Sequence, residues 1–188
     1  YGIDDAAERK ARVTAYVEAL KNYAAALESN HSALHDGHGA YDAQTCILNT
    51  TDVMLDQMLY SVPVTQLLAG LGGSSTSQRA ETLLASVDAM DQMMLLFYQH
   101  KGLTDLAGAG DRNRLPSQHL NIRYMRMFAG AFMYAASNHI GIGWDSVTGL
   151  ATGNPVVLGD DGSYQSGNYF GWGIAHEIGH NINQGSYA

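Results

Sequence analysis

The run His176-Glu177-Ile178-Gly179-His180 constrains this chain more than any other stretch. Side chains four positions apart on an α-helix lie on one face, one turn above each other. The segment must therefore be helical, with that face open, if both imidazoles are to reach one ion. Zinc takes such nitrogens at about 2.0–2.1 Å, in a tetrahedral arrangement that keeps one position open for water when the site is catalytic. The metal lowers that water's pKa to roughly 7, and Glu177, directly after the first histidine, can take its proton. Ile174, Ala175 and Ile178 give the same segment an apolar side to bury. The chain has 8 His, and composition alone would assemble the three fixed positions roughly one time in a hundred. The plainer reading, a helix with two unrelated histidines and a solvated glutamate, has that weight against it.

Around this motif the run Gly171-Trp-Gly-Ile-Ala-His-Glu-Ile-Gly-His-Asn-Ile-Asn-Gln184 resembles the active-site helix of the enhancin-like zinc metallopeptidases. These are gluzincins that include secreted bacterial enzymes cutting mucins and other O-glycosylated proteins. Cys46-Ile-Leu-Asn-Thr-Thr-Asp-Val-Met-Leu-Asp56 and Phe132-Met-Tyr-Ala-Ala-Ser-Asn-His-Ile-Gly-Ile142 resemble the same family. The resemblance thus spans most of the chain, with the zinc motif its specific part. It implies a Zn2+ cofactor, His176 and His180 as metal ligands and Glu177 as general base. It also implies a third ligand, a Glu downstream of the helix. No Glu follows Glu177, so that ligand is expected outside this sequence. Residues 1–188 are accordingly expected to be a single domain, the N-terminal portion of a catalytic domain ending just after the active-site helix. The implied activity is zinc-dependent endopeptidase cleavage of glycoproteins, O-glycosylated mucin-like substrates above all, by a secreted or cell-surface bacterial protein. The alternative is a non-catalytic, glycoprotein-binding helical module; a zinc hydrolase of a non-peptide bond also stays open, since a motif does not set the substrate.

Bulk properties narrow the classes further. A length of 188 residues with 46% hydrophobic content suits one domain with a sizeable core. A formal net charge of −8 argues against nucleic acid and anionic membranes as partners. No apolar run approaches the ~18 residues of a membrane span. The oligomeric state is open. Cys46 is the only cysteine, so an intrachain disulfide is excluded. Flanked by Ile47 and Leu48, it reads as a small buried hydrophobe rather than a nucleophile.

Periodicity predicts helices over residues 4–29, from about 50 with an apolar stripe at Val53, Met54, Met58 and Leu59, over 64–71, over 77–101 and over about 119–137. Thr50 or Thr51 would cap the second, and the last, apolar on nearly every side between 127 and 136, would lie behind the metal helix. Alternation of Ile140 and Ile142 with small residues predicts a short strand over 140–144. The expected fold class is therefore α+β, mainly α: a zincin-like domain with a helical bundle and a small strand element next to the metal helix. An edge strand there can hold a substrate backbone in extended form, which makes Ile140, Gly141 and Trp144 candidate substrate-binding residues. Tyr169 and Trp172 can wall a sugar or peptide subsite, or simply pack. Solvated loop histidines are the default for His31, His35 and His38, with an accessory metal the sharper reading. Arg112 and Arg114 sit in a polar loop, and residues 154–165 read as a hairpin.

Overall fold

A computed structural model of the chain describes residues 2–30, 41–104, 110–127, 130–152 and 169–183. Helix α1 spans Ala6–Ser29, where the first helix is expected, and the Asp5 side chain caps it by accepting the Glu8 N–H at 2.7 Å. Helix α2 is Val64–Leu71. Its N-cap, Pro63, has no side-chain cap of its own. The buried Asn49 substitutes for one: its Oδ1 accepts the Thr65 N–H at 3.1 Å and its Nδ2 donates to Thr65 Oγ1 at 2.8 Å. Helix α3, Thr76–His100, opens on a reciprocal capping box between Ser75 and Gln78. It stops at Gly102, whose φ of +74° only glycine adopts cheaply.

Two of the expected helices are strands. Residues 51–62 form an antiparallel hairpin, β1 (Thr51–Met54) and β2 (Met58–Val62). Apolar residues at 53, 54, 58 and 59, in two adjacent pairs, select neither a period of 3.6 nor a period of 2. Burial in β2 falls on Met58, Tyr60 and Val62, every second residue, which only a strand allows. Residues 119–137 hold β3 (Leu120–Tyr124) and β4 (Met133–Ala136). In β3 the polar Asn121 and Arg123 alternate with apolar neighbours, and only Ile122 is fully buried. The strand expected over 140–144 is β5 (His139–Ile142), and Trp144 opens helix α4 (Trp144–Ala151). Helix α5 is Tyr169–Asn183.

The strands make one five-stranded mixed sheet in the order β1-β2-β3-β5-β4, so the expected small strand element is instead a central layer. β2, β3 and β5 run parallel; β1 and β4 are antiparallel to their neighbours at the two edges. One sheet face contributes Met58, Tyr60, Val62, Ile122, Ile140 and Ile142 to a single core, closed by Val17 and Leu20 of α1, Leu67 of α2, Leu83, Met90 and Met94 of α3, Leu150 of α4, and Ile174 and Ile178 of α5. Two local devices hold this frame. Asp91, buried on α3, accepts the amide hydrogens of Asp56 and Gln57 at 2.9 and 2.8 Å and so pins the β1–β2 turn to the helix layer. Helices α2 and α4 cross at Gly70, where a Cβ would stand 2.6 Å from the Thr148 carbonyl oxygen. Cys46 is buried and free, as the flanking residues imply. No helix among the described residues is long and apolar enough to cross a membrane.

Candidate metal centre

Helix α5 buries one side and presents the other. Ile174 and Ile178, one turn apart, have no exposed surface. His176 and His180, about half a turn round the helix, are exposed, and Glu177 is half-buried between the two sides. The two imidazoles converge. Their Nε2 atoms lie 3.0 Å apart, with ring centroids at 4.6 Å and planes crossing at 89°. One N–H directed at the other ring's lone pair accounts for this contact. Coordination requires both Nε2 atoms bare, with the protons on Nδ1. Two nitrogens on one tetrahedral zinc stand about 3.3–3.4 Å apart. A small ring rotation would turn both nitrogens toward one ion, and imidazole nitrogens are donors that zinc takes. Among the described residues no third His, Cys, Asp or Glu gathers with them.

Three contacts hold this helix in place. Near its start Gly173 lies so close to β4 that a Cβ there would be 3.1 Å from Met133 Sδ. Near its end Asn181 Nδ2 donates to the Ala136 carbonyl, the last residue of β4. On the other flank Lys101 Nζ, just past α3, donates to the Ile182 carbonyl at 2.5 Å.

β4 is an outer strand of the sheet. The Gly143 N–H donates to the Phe132 carbonyl at 2.8 Å, which sets the alternation along the β4–β5 ladder. Met133 and Ala135 are the intervening positions and turn their backbone N–H and C=O groups to the outer edge. The extended edge beside α5 is thus β4 and not the strand expected over 140–144. β5 lies between β3 and β4 and is paired on both sides, so residues 140–142 have no free edge. Ile140 is fully buried in the core, and Gly141 lies under the Tyr134 ring, which a Cβ would strike. Trp144 packs edge-on against Tyr124, with centroids 5.5 Å apart, and its carbonyl accepts from Gln66 Nε2 at 3.2 Å. The missed signal for β4 is the Ser137-Asn138 pair, the two residues between β4 and β5, a hairpin length with turn-forming chemistry.

Tyr169 and Trp172 belong by backbone to the first turn of α5, and their side chains lie outside the described residues. So do His31, His35 and His38 and the hairpin expected over 154–165. Arg112, in a single 3-10 turn, and Arg114 are exposed. His139 is engaged by its neighbours in the sheet: Nε2 meets Arg123 of β3 at 2.8 Å and Tyr134 Oη at 3.1 Å, and Nδ1 meets Asn138 Oδ1 at 2.9 Å. Burial, and then the adjacent guanidinium, hold its pKa below the ordinary imidazole value.

Against known proteins, no family model and no curated sequence matches this chain. Solved structures do. The chain is similar over its whole length to the ZmpB metallopeptidase from Clostridium perfringens, with a TM-score of 0.64, 18% identity and 28% of that chain covered. Over 92% of its length it is similar to the M60 catalytic domain of ZmpC from the same organism, solved in complex with the sialyl T antigen (TM-score 0.61, 15% identity, 27% of that chain). Over 96% it is similar to the catalytic module of the metalloprotease ZmpA, at a TM-score of 0.60 and 16% identity. The chain spans between 27% and 28% of the length of these three. At such identity the likeness establishes the fold: a mixed α/β arrangement of the kind found in M60 metallopeptidase catalytic domains.

Proposed function

We propose that this chain is the N-terminal portion of the catalytic domain of a zinc-dependent endopeptidase that cleaves glycoproteins, with O-glycosylated, mucin-like proteins as its substrate class. The observation that carries the reading is the convergence of the His176 and His180 Nε2 atoms at 3.0 Å on a helix that packs along an outer strand. Support for the substrate class comes from the helix sequence and from the glycan held by the similar ZmpC domain. The same resemblance supports a secreted or cell-surface location.

His176 and His180 would hold the ion, and a Glu from sequence outside these 188 residues would complete the set. Zinc at such a site supplies a Lewis acid that polarises a carbonyl and acidifies water. The chain's own residues do the rest. Met133 and Ala135 offer outward backbone groups to which an extended peptide adds as a further strand, fixing its direction without reading its side chains. The Glu177 carboxylate takes a proton from the attacking water and returns it to the nitrogen of the leaving amine as the C–N bond breaks. Tyr169 and Trp172, on the first turn of the same helix, are the candidates for a wall against sugar.

A non-catalytic glycoprotein-binding module would not require two imidazoles to meet on one helix face. The deciding experiment is Glu177→Ala in the full-length protein. Zinc remains bound at wild-type stoichiometry, and cleavage of a glycosylated mucin falls by the ~10²–10⁴-fold typical of a lost general base. Cleavage at near wild-type rate by that variant refutes the assignment.

A further inference from the structure

We infer that Asn181 is a positioning residue that ties the metal helix to the outer strand, so that the ion's cradle and the peptide's track keep one relative position. The inference deepens the peptidase reading and rests on it for its functional half. Asn181 directly follows His180, and its Nδ2 donates to the carbonyl of Ala136 at the end of β4. Its Oδ1 is buried and has no donor among the described residues. Among the described residues this half-buried carboxamide bonds to the strand through Nδ2 and leaves Oδ1 without a donor.

The geometry around it makes that bond the directional element of the contact. The helix and β4 meet at two ends. At one, Gly173 stands close against the thioether of Met133, a contact without a hydrogen bond's direction. At the other, the Asn181 bond fixes both distance and direction. Lys101 holds the neighbouring Ile182 carbonyl from the α3 side. The turn that carries His180 is thus gripped from α3 and pinned to β4. A peptide lying on Met133 and Ala135 is placed by the strand, whereas the ion is placed by the helix. The pin adds a directional tie between the two to the apolar packing of Ile174 and Ile178. Releasing it costs substrates long enough to use the strand and spares those that do not.

The test uses the full-length, zinc-loaded protein with Asn181→Ala and the near-isosteric Asn181→Asp, which faces the Ala136 carbonyl with an acceptor and leaves no cavity. Three quantities are read: amide exchange of residues 132–142 against 51–62, the zinc dissociation constant, and KM and kcat for a long glycopeptide against a short peptide. Expected are faster exchange confined to 132–142 and a long-substrate KM raised about tenfold, with kcat, the zinc constant and the short peptide changed less than about twofold. Unchanged exchange in both variants overturns the coupling. Equal losses on long and short substrates, or weakened zinc in both variants, overturn it in favour of simple support of His180. If the wild-type protein binds no zinc or cleaves no peptide, the peptidase reading fails, while the exchange arm still decides whether Asn181 couples helix to strand.

Discussion

Lys101 Nζ donates to the Ile182 carbonyl at 2.5 Å, which places a cation against the last turn of the helix that carries both candidate ligands. Carbonyls at a helix C-terminus lack intrahelical partners, and a positive charge there also complements the helix dipole. Lys101→Met keeps most of the side chain's apolar length and removes the charge and the donor. The expected loss of stability is ~0.5–1.5 kcal/mol, the net worth of one such bond. Chemical denaturation measures it, and an unchanged midpoint would show that the contact contributes nothing.

The histidines differ from this support in kind. Removing an outer-shell partner typically costs ~10–100-fold in metal affinity, and removing a ligand should cost more. His176→Ala and His180→Ala, each alone, are expected to weaken zinc binding by over ~100-fold with the helical signal in far-UV circular dichroism intact. Competition with a zinc chelator gives the constants. Retention of tight zinc by either variant removes that ring from the site.

Asp91 provides a pH signature. Burial pushes its carboxyl above the ordinary range, against the Asp56 and Gln57 amides and the Arg9 charge, which pull it down. A folded-state pKa above the unfolded value means the folded protein binds that proton more tightly. The stabilisation is complete below the unfolded value and is lost as pH rises through the folded one. Asn cannot titrate, and with one acceptor it keeps only one of the two amide bonds. Asp91→Asn is therefore expected to be less stable than wild type, by a margin that widens as pH falls from neutrality toward 4. Urea midpoints at the two pH values test this; a margin that narrows on acidification contradicts the burial argument.

Gly70 tests the close approach of α2 and α4. An exposed helical Gly→Ala change gains about 1 kcal/mol from backbone entropy. Here the new Cβ would meet the Thr148 carbonyl oxygen at 2.6 Å and the Ala151 methyl at 2.7 Å. Overpacking of this kind costs ~1–3 kcal/mol, so the clash should outweigh the propensity. Gly70→Ala is expected to melt below wild type by calorimetry. A higher melting temperature would mean that the two helices separate without cost.

Helices α1, α2, α3 and α5 were legible in the chain because their signals are local. Caps at Asp5 and Ser75, a stop at Gly102 and isoleucines at 174 and 178 all act within a turn or two of themselves. Of the sheet only β5 was legible, for a physical reason that Val53, Met54, Met58 and Leu59 make plain. Four apolar residues in two adjacent pairs select neither a helical stripe nor an alternating strand, and the choice falls to distant partners: Tyr60 beside Ile122, and Ile122 beside Ile140. The same holds for the site. Sequence alone determined that two imidazoles share one helix face with a carboxylate next to them, since a four-residue spacing becomes a shared face as soon as the helix forms. Only the tertiary structure decided which strand lies at the edge beside that helix, because a strand's edge is defined by its missing neighbour, a fact about strand order that no stretch of chain carries by itself.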